Sequence, residues 1–273
     1  MKTKSLFLIF IASFFMWSCE QDTIQEDATS SGEVTEKQGI EKKITIWGAE
    51  ATVYDFGDYY LFHNDVRLDK ADVDAMNEGP QLRGAAKSSG RWTNNTIPYA
   101  ISPDLQSFKM TIEYILGEYN RRIPHIQFVP KTPYEANYLS FDSTPTEHFI
   151  NWIGMKGSKQ TIYLNPNKFD PNSQSAYRTI THLAGHALGL FDEESRTDRD
   201  NYIKFLTPYH SQKYNTSEIG FDYGPFDYYS IMLSDVIVDG VVTMTKANGE
   251  TLIPQGMTLS SWDVNTLIAM YRK

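Results

Sequence analysis

The sequence predicts an α+β domain preceded by a small β-rich segment. Three observations carry this reading. Short apolar runs bounded by turn residues recur between residues 43 and 164. Two stretches within or just after them, 107–122 and 173–189, have helical apolar spacing. A third helical stretch closes the chain from Ser260. The 273 residues are 41% hydrophobic and 22% charged, enough apolar material for a packed core. The net charge of −9 argues against a nucleic-acid binder, which needs a basic face. One cysteine excludes a disulfide scaffold and any cysteine-rich metal cluster.

At the N-terminus, Lys2 and Lys4 precede an apolar run from Leu6 to Trp17, closed by Ser18 and Cys19. A basic start, a short apolar stretch and a small residue describe a secretory signal over residues 1–18. The run is short for a membrane span. Cys19 sits where a bacterial lipoprotein signal places its lipidated cysteine, and Met16-Trp17-Ser18 resembles a loose lipobox. The alternative is an ordinary signal with an incidental cysteine. The expected location is the bacterial cell envelope, lipid-anchored in the outer membrane or at the cell surface, or else secreted. Residues 19–42 are acidic and polar at their start, with Glu20, Asp22, Glu26, Asp27 and Glu33, and read as a solvated tether.

Residues 43–68 read as short strands: Ile44, Ile46, Ala49 and Val53, then Tyr59 to Phe62, separated by Gly48 and Gly57. Asn64-Asp65 interrupts a run that resumes at Val66 and Leu68. Residues 75–90, with Gly79-Pro80, Arg83-Gly84 and Ser88-Ser89-Gly90, read as a protease-sensitive linker. The organisation is thus a segment over 43–85 and a main domain over 86–273. In the main domain, Ile97 to Ile101 reads as a strand. Phe108, Ile112, Ile115, Leu116 and Tyr119 mark one face of an amphipathic helix. Ile126 to Val129, Tyr138 to Phe141 and Thr161 to Leu164 read as strands. The helix from Ser173 stops at Gly189. The last helix starts at the N-cap Ser260 and carries Val264, Leu267, Ile268 and Tyr271.

The chemistry lies at the end of the second helix. His182 and His186 are four residues apart and share one face. Asp192 follows the turn at Gly189. Two imidazoles and a carboxylate so placed can hold one Zn²⁺. Spacing alone leaves open the plainer reading of two solvated or hydrogen-bonded histidines, and Asp192-Glu193-Glu194 as a solvated exit turn. His63, His125, His148 and His210 read as structural or surface groups. Tyr228 and Tyr229 read as packing groups.

The run from His182 to Tyr202, with its Arg196-Thr-Asp-Arg-Asp200 block, resembles the astacin family of zinc endopeptidases. Arg91-Trp92, Ile97-Pro98-Tyr99, Phe128-Val129-Pro130, Gly154, Gln160 and Leu164 fall in the family's order. Ser230-Ile231-Met232 is similar to its Met-turn, and Ile253-Pro254 through Tyr271 to its close. The resemblance covers about residues 91–273. It implies a two-lobed metzincin fold, a zinc ion held by His182, His186 and Asp192, and Met232 beneath the metal. It also implies that Glu193 pairs with a new N-terminus after a cut near Arg83–Ala85. Phe62-His63-Asn64-Asp65-Val66 resembles the pro-segment motif whose Asp caps the zinc, so Asp65 is a candidate inhibitory ligand. The alternative there is a plain Asn-Asp turn.

The sequence departs from the family where hydrolysis takes place. The family's general-base Glu follows the first His, and here Leu183 stands in that position. A leucine moves no proton, and such a group is worth on the order of 10²–10⁴ in rate. The third ligand position holds Asp192 instead of His, which neutralises more metal charge and acidifies bound water less. Ser234 stands where the Met-turn Tyr belongs. The expectation is a zinc peptidase homologue with little or no turnover, its zinc held more weakly, that binds a peptide or protein in the old cleft. It touches a membrane only through the lipid at Cys19. The rival readings are an active zinc endopeptidase with a substitute base, such as Glu193 or another cleft carboxylate, and a metal-free structural or adhesin-like domain.

Overall fold

The computed structural model describes residues 39–78, 90–206, 219–238, 240–252 and 256–272. The signal and Cys19, most of the tether, the Arg83–Ala85 cut, His210 and Ile253-Pro254 lie outside the described residues. Among those described, no helix is long and apolar enough to cross a membrane.

Four strands open the described chain: β1 (Ile40–Ile46), β2 (Ala49–Asp55), β3 (Tyr59–Phe62) and β4 (Val66–Asp69). They form an antiparallel meander. Their buried positions alternate along β3 and β4, as one covered sheet face requires. The first strand starts at Ile40, three residues before the boundary read from the sequence. Helix α1 (Lys70–Glu78) follows directly and takes the beginning of the stretch read as linker. Its anchor is Val73, which is buried.

The main domain supplies β5 (Thr96–Ile101), α2 (Lys109–Arg122), β6 (Gln127–Pro130), β7 (Leu139–Ser143), β8 (Phe149–Ile150) and β9 (Gln160–Leu164). A 3-10 turn at Pro103–Phe108 leads into α2, so the α-helix starts later than its apolar spacing suggested. The strands join the meander in one nine-stranded sheet, ordered β1-β2-β3-β4-β8-β9-β7-β5-β6. The seam is a parallel pairing of Val66 in β4 with Ile150 in β8. The β9, β7, β5 and β6 pairs are parallel, and β8 runs antiparallel to β9.

Helix α3 (Gln174–Ala187) lies on this sheet and against α2, whose Tyr119 hydroxyl donates to the Thr181 carbonyl at 2.7 Å. After it come four more described strands: β10 (Ile203–Phe205) paired with β13 (Met244–Lys246), and the small hairpin β11 (Ile237–Val238) and β12 (Val241–Val242). Helix α4 (Ser261–Tyr271) ends the described chain. One large core joins Val53, Phe62, Val66 and Leu68 of the N-terminal meander to Ile97, Leu116, Ile150, Ile162, Ile180 and Leu183 of the main domain. A second, smaller core gathers Ile203, Phe226, Leu233, Val236, Met244 and Leu252.

Candidate metal centre

Helix α3 is fixed at both ends. Ser173 caps its start, its Oγ accepting from the Ala176 amide. At its end, the Trp92 indole donates to the Ala187 carbonyl at 2.8 Å and the Tyr271 hydroxyl to the Leu188 carbonyl at 3.0 Å. These side chains satisfy carbonyls that a helix terminus leaves orphaned. Gly189 then takes φ of +99°, which turns the chain away from the helix.

The rigid end sets two imidazoles side by side, their ring centres 4.6 Å apart. His182 Nδ1 lies 2.9 Å from the Ile231 carbonyl and His186 Nδ1 lies 2.8 Å from the Leu190 carbonyl. A carbonyl only accepts, so each Nδ1 carries the proton and each Nε2 presents a lone pair. Both Nε2 atoms converge on two carboxylates. Asp65 approaches His182 at 3.1 Å and His186 at 3.2 Å. Asp192 Oδ1 approaches them at 3.3 and 3.4 Å. One ligand atom from each of Asp65, His182, His186 and Asp192 falls within 4.8 Å of the other three.

The donor set fits a zinc ion. His186 Nε2, Asp65 Oδ1 and both Asp192 oxygens are buried without a hydrogen-bond partner. Buried polar atoms left in this state are costly, and a shared divalent cation would satisfy them together. Two imidazoles and two carboxylates match zinc's preferred donors and neutralise its charge. Without metal, the two histidines take up protons and face the two carboxylates as charged pairs. Burial would lower His186, but the charges of Asp65 and Asp192 lift it to about 9. Burial would raise Asp192, but His186 and His182 hold it well below the usual carboxylate range. Asp65 is depressed by the same two histidines against the same opposing effect of burial.

Met232 lies under the helix. A Cβ on Gly185 would come within 2.6 Å of its Sδ, so the absent side chain is what admits the thioether. Asp263 holds the turn that carries Met232. It accepts from Ser230 Oγ at 2.6 Å, the Ile231 amide at 2.9 Å and the Ser260 amide at 2.7 Å. Leu183 is only 1% exposed and belongs to the large core. Ser234 donates its amide to the Glu194 carboxyl, at 3.2 and 3.1 Å.

The acidic exit turn is not solvated, contrary to the plainer sequence reading. Asp192 and Glu194 are buried. Glu193 accepts from the Asp227 amide at 2.7 Å and borders a cavity of about 110 Å³ with Ser195, Arg196 and Asp263. Burial raises Glu193 to about 8. Burial, reinforced by the Asp192 charge, does the same to Glu194. The Arg196-Thr-Asp-Arg-Asp200 block braces this turn: Arg196 forks onto Asp198, and Arg199 donates to the Glu194 carbonyl.

The other histidines divide. His125 is exposed. His148 is half-buried, stacked on Phe169, and accepts from the Asn165 amide, with burial lowering it to about 4. His63 corrects the surface expectation: it is 4% exposed and its Nδ1 lies 2.8 Å from Asp192 Oδ2. Tyr228 packs against Phe226, while Tyr229 is exposed.

The family model for astacin (Peptidase family M12A) matches residues 84–272. The chain belongs to the astacin family. Among the family's members, the zinc metalloproteinase nas-4 of Caenorhabditis elegans is 30% identical over 174 residues, covering 60% of this chain and 51% of that protein. The astacin-like metalloprotease toxin 1 of Loxosceles intermedia is 31% identical over 180 residues, covering 62% of this chain and 64% of that one. The chain spans about half the length of the first of these relatives. High choriolytic enzyme 1, a hatching enzyme zinc-protease from Oryzias latipes, has a structure that superposes with a TM-score of 0.55 at 27% identity, covering 66% of this chain and 92% of that chain. The astacin fold accounts for the mixed sheet and its helices.

Proposed function

We propose that this astacin-family chain has kept the zinc site and lost most or all peptidase turnover, and that it binds a peptide or protein in its cleft. One observation carries the reading: Leu183, buried and aliphatic, occupies the position from which the family's proton carrier works. Zinc, when bound, supplies a Lewis acid at the two imidazoles. His182 and His186 hold it with Asp192, and Asp65 of the N-terminal segment closes the fourth side. A centre with four protein ligands resembles a structural site, since a hydrolytic one keeps a position open for water.

The reading with a substitute base is disfavoured by Glu193. Its carboxyl is engaged by the Asp227 amide, lies 3.7 Å from Arg196 and borders a partly open cavity. That cavity supports a different role for Glu193, as partner of a new N-terminus after a cut near Arg83–Ala85. Ser234 brings no phenol to the cleft, so it offers no oxyanion help of the family's kind. Four converging donors speak against a metal-free adhesin. We further propose that Cys19 carries a lipid and tethers the domain to the bacterial envelope.

The test is Leu183→Glu, alone and with Asp192→His, assayed on casein and a quenched peptide after cleavage of the N-terminal segment. Turnover is expected only where Glu is present. Equal chelator-sensitive turnover in the natural protein sinks the proposal.

A further inference from the structure

A carboxylate ligand differs from an imidazole in having a second donor atom. Once Asp192 gives Oδ1 to the two histidines, its Oδ2 remains buried and must meet something. What it meets is His63, two residues before Asp65 on the same turn of the N-terminal segment. Nδ1 of His63 lies 2.8 Å from that oxygen. The approach is off the line of a well-formed hydrogen bond, since neither atom has a partner by that stricter geometry. It is nevertheless the closest of the contacts that join the N-terminal segment to the ligand set.

The position of the ring is built. His63 adopts φ of +55°, a left-handed conformation uncommon for a residue with a side chain. Its ring stacks on Phe62 with centres 3.9 Å apart and meets the edge of Phe191 at 5.9 Å. Phe191 is the residue before Asp192. The backbone turn that delivers Asp65 to the metal side thus also delivers an imidazole to the far oxygen of Asp192.

We infer that His63 is a positioning residue of the metal centre: it holds Asp192 through Oδ2, so that the N-terminal segment grips the site at two points, one a ligand and one a support for a ligand. Partners of this kind orient a metal-bound carboxylate and contribute to affinity without touching the ion. The inference rests on the proposed zinc site. It adds that displacing the N-terminal segment loosens Asp192 as well as removing Asp65, and that the use of Asp as third ligand depends on His63.

Two variants of the full chain test it. His63→Phe keeps a ring on Phe62 and removes the N–H; His63→Gln removes the ring and keeps an N–H. Zinc is loaded and its transfer to a colorimetric chelator is timed. The Phe variant is expected to release zinc about 10- to 100-fold faster than the natural chain, the range typical of lost support to a metal ligand. The Gln variant is expected to recover most of that loss. In the cobalt-substituted proteins, the visible absorption of the Phe variant is expected to shift and that of the Gln variant to follow the natural chain. A merely structural role for the ring predicts the reverse order, with Gln the worse variant, and overturns the inference. So do equal release rates and spectra in all three proteins. A natural chain that takes up no zinc overturns the underlying metal site as well, and is told apart by the first measurement.

Discussion

Gly185 and Met232 touch where one of them has no side chain: a Cβ at Gly185 would stand 2.6 Å from the Met232 sulfur. The missing atom lets the turn beneath the ligand helix rise against it. That turn carries the Ile231 carbonyl to His182 Nδ1, so the contact fixes an imidazole as well as filling space. Gly185→Ala is expected to cost about 1–3 kcal/mol, the usual scale for overfilling a packed interior. Pairing it with Met232→Ala should recover part of the loss. Thermal melts of the two single variants and the double variant decide this, and strictly additive losses would contradict it.

Asp65 is the only ligand in the proposed set that comes from outside the main domain's own fold. Asp65→Ala is expected to weaken zinc binding by at least about 10-fold, the lower end of what is lost even when a group beside a ligand is removed. In a Leu183→Glu background the same change should give peptidase turnover in the uncut chain, because it opens the position that Asp65 fills. Silence of the double variant before cleavage, with turnover after it, would show that other parts of the segment suffice to block the cleft.

The pH dependence of the metal-free protein follows from the shifts around the site. Asp192 is held below its ordinary 3.8, so its contribution is present above that value and lost as pH falls. His186 is raised from 6.5 to about 9, so its contribution is complete below 6.5 and lost as pH rises through about 9. Glu193 and Glu194, raised by burial to about 8, favour the fold while neutral and lose that contribution as pH climbs from 4.5 through about 8. The metal-free chain should therefore melt highest near about pH 5 and lose stability towards about pH 9. Zinc displaces protons from these donors, so its affinity should rise over the same interval. Melting curves in chelator and in zinc, taken from acid to alkaline pH, measure both trends. A metal-free melting temperature that climbs above neutrality contradicts the assignment.

Asp263 supports three donors from buried positions and joins α4 to the Met232 turn. Asp263→Asn would set an amide N–H against donors already pointing at it. An unsatisfied buried group of this kind costs about 1–3 kcal/mol. Lower thermal stability with slower zinc uptake is expected, and an unchanged melt would show that the turn is held by other contacts.

The helix carrying His182 and His186 was legible because its signals are local. Ser173 caps it, the apolar spacing marks its buried face, and Gly189 ends it. The same holds for α4, whose Ser260 and Asp263 cap each other. Strand β8 was not legible: two residues, Phe149 and Ile150, carry no period. Helix α1 hid because Val73 and Met76 are a thin apolar face among acidic and polar neighbours. His63 and Glu194 show a different limit. Each is polar and near a turn, which in sequence reads as surface. Their burial depends on partners far along the chain, Asp192 for one and the Ser234 amide for the other. Asp65 was found through resemblance, and its distances to the histidines belong to tertiary structure.

The pairing of Val66 with Ile150 makes the N-terminal meander part of the same sheet as the main domain, and their apolar side chains share one interior. If the connection between residues 78 and 90 is cut, the two pieces should stay together, and the severed fragment should migrate with its parent through a sizing column until denaturant separates them. On the proposed reading, peptide-bond cleavage and dissociation would be two separate events, and the slower of them would govern when the cleft opens to anything else.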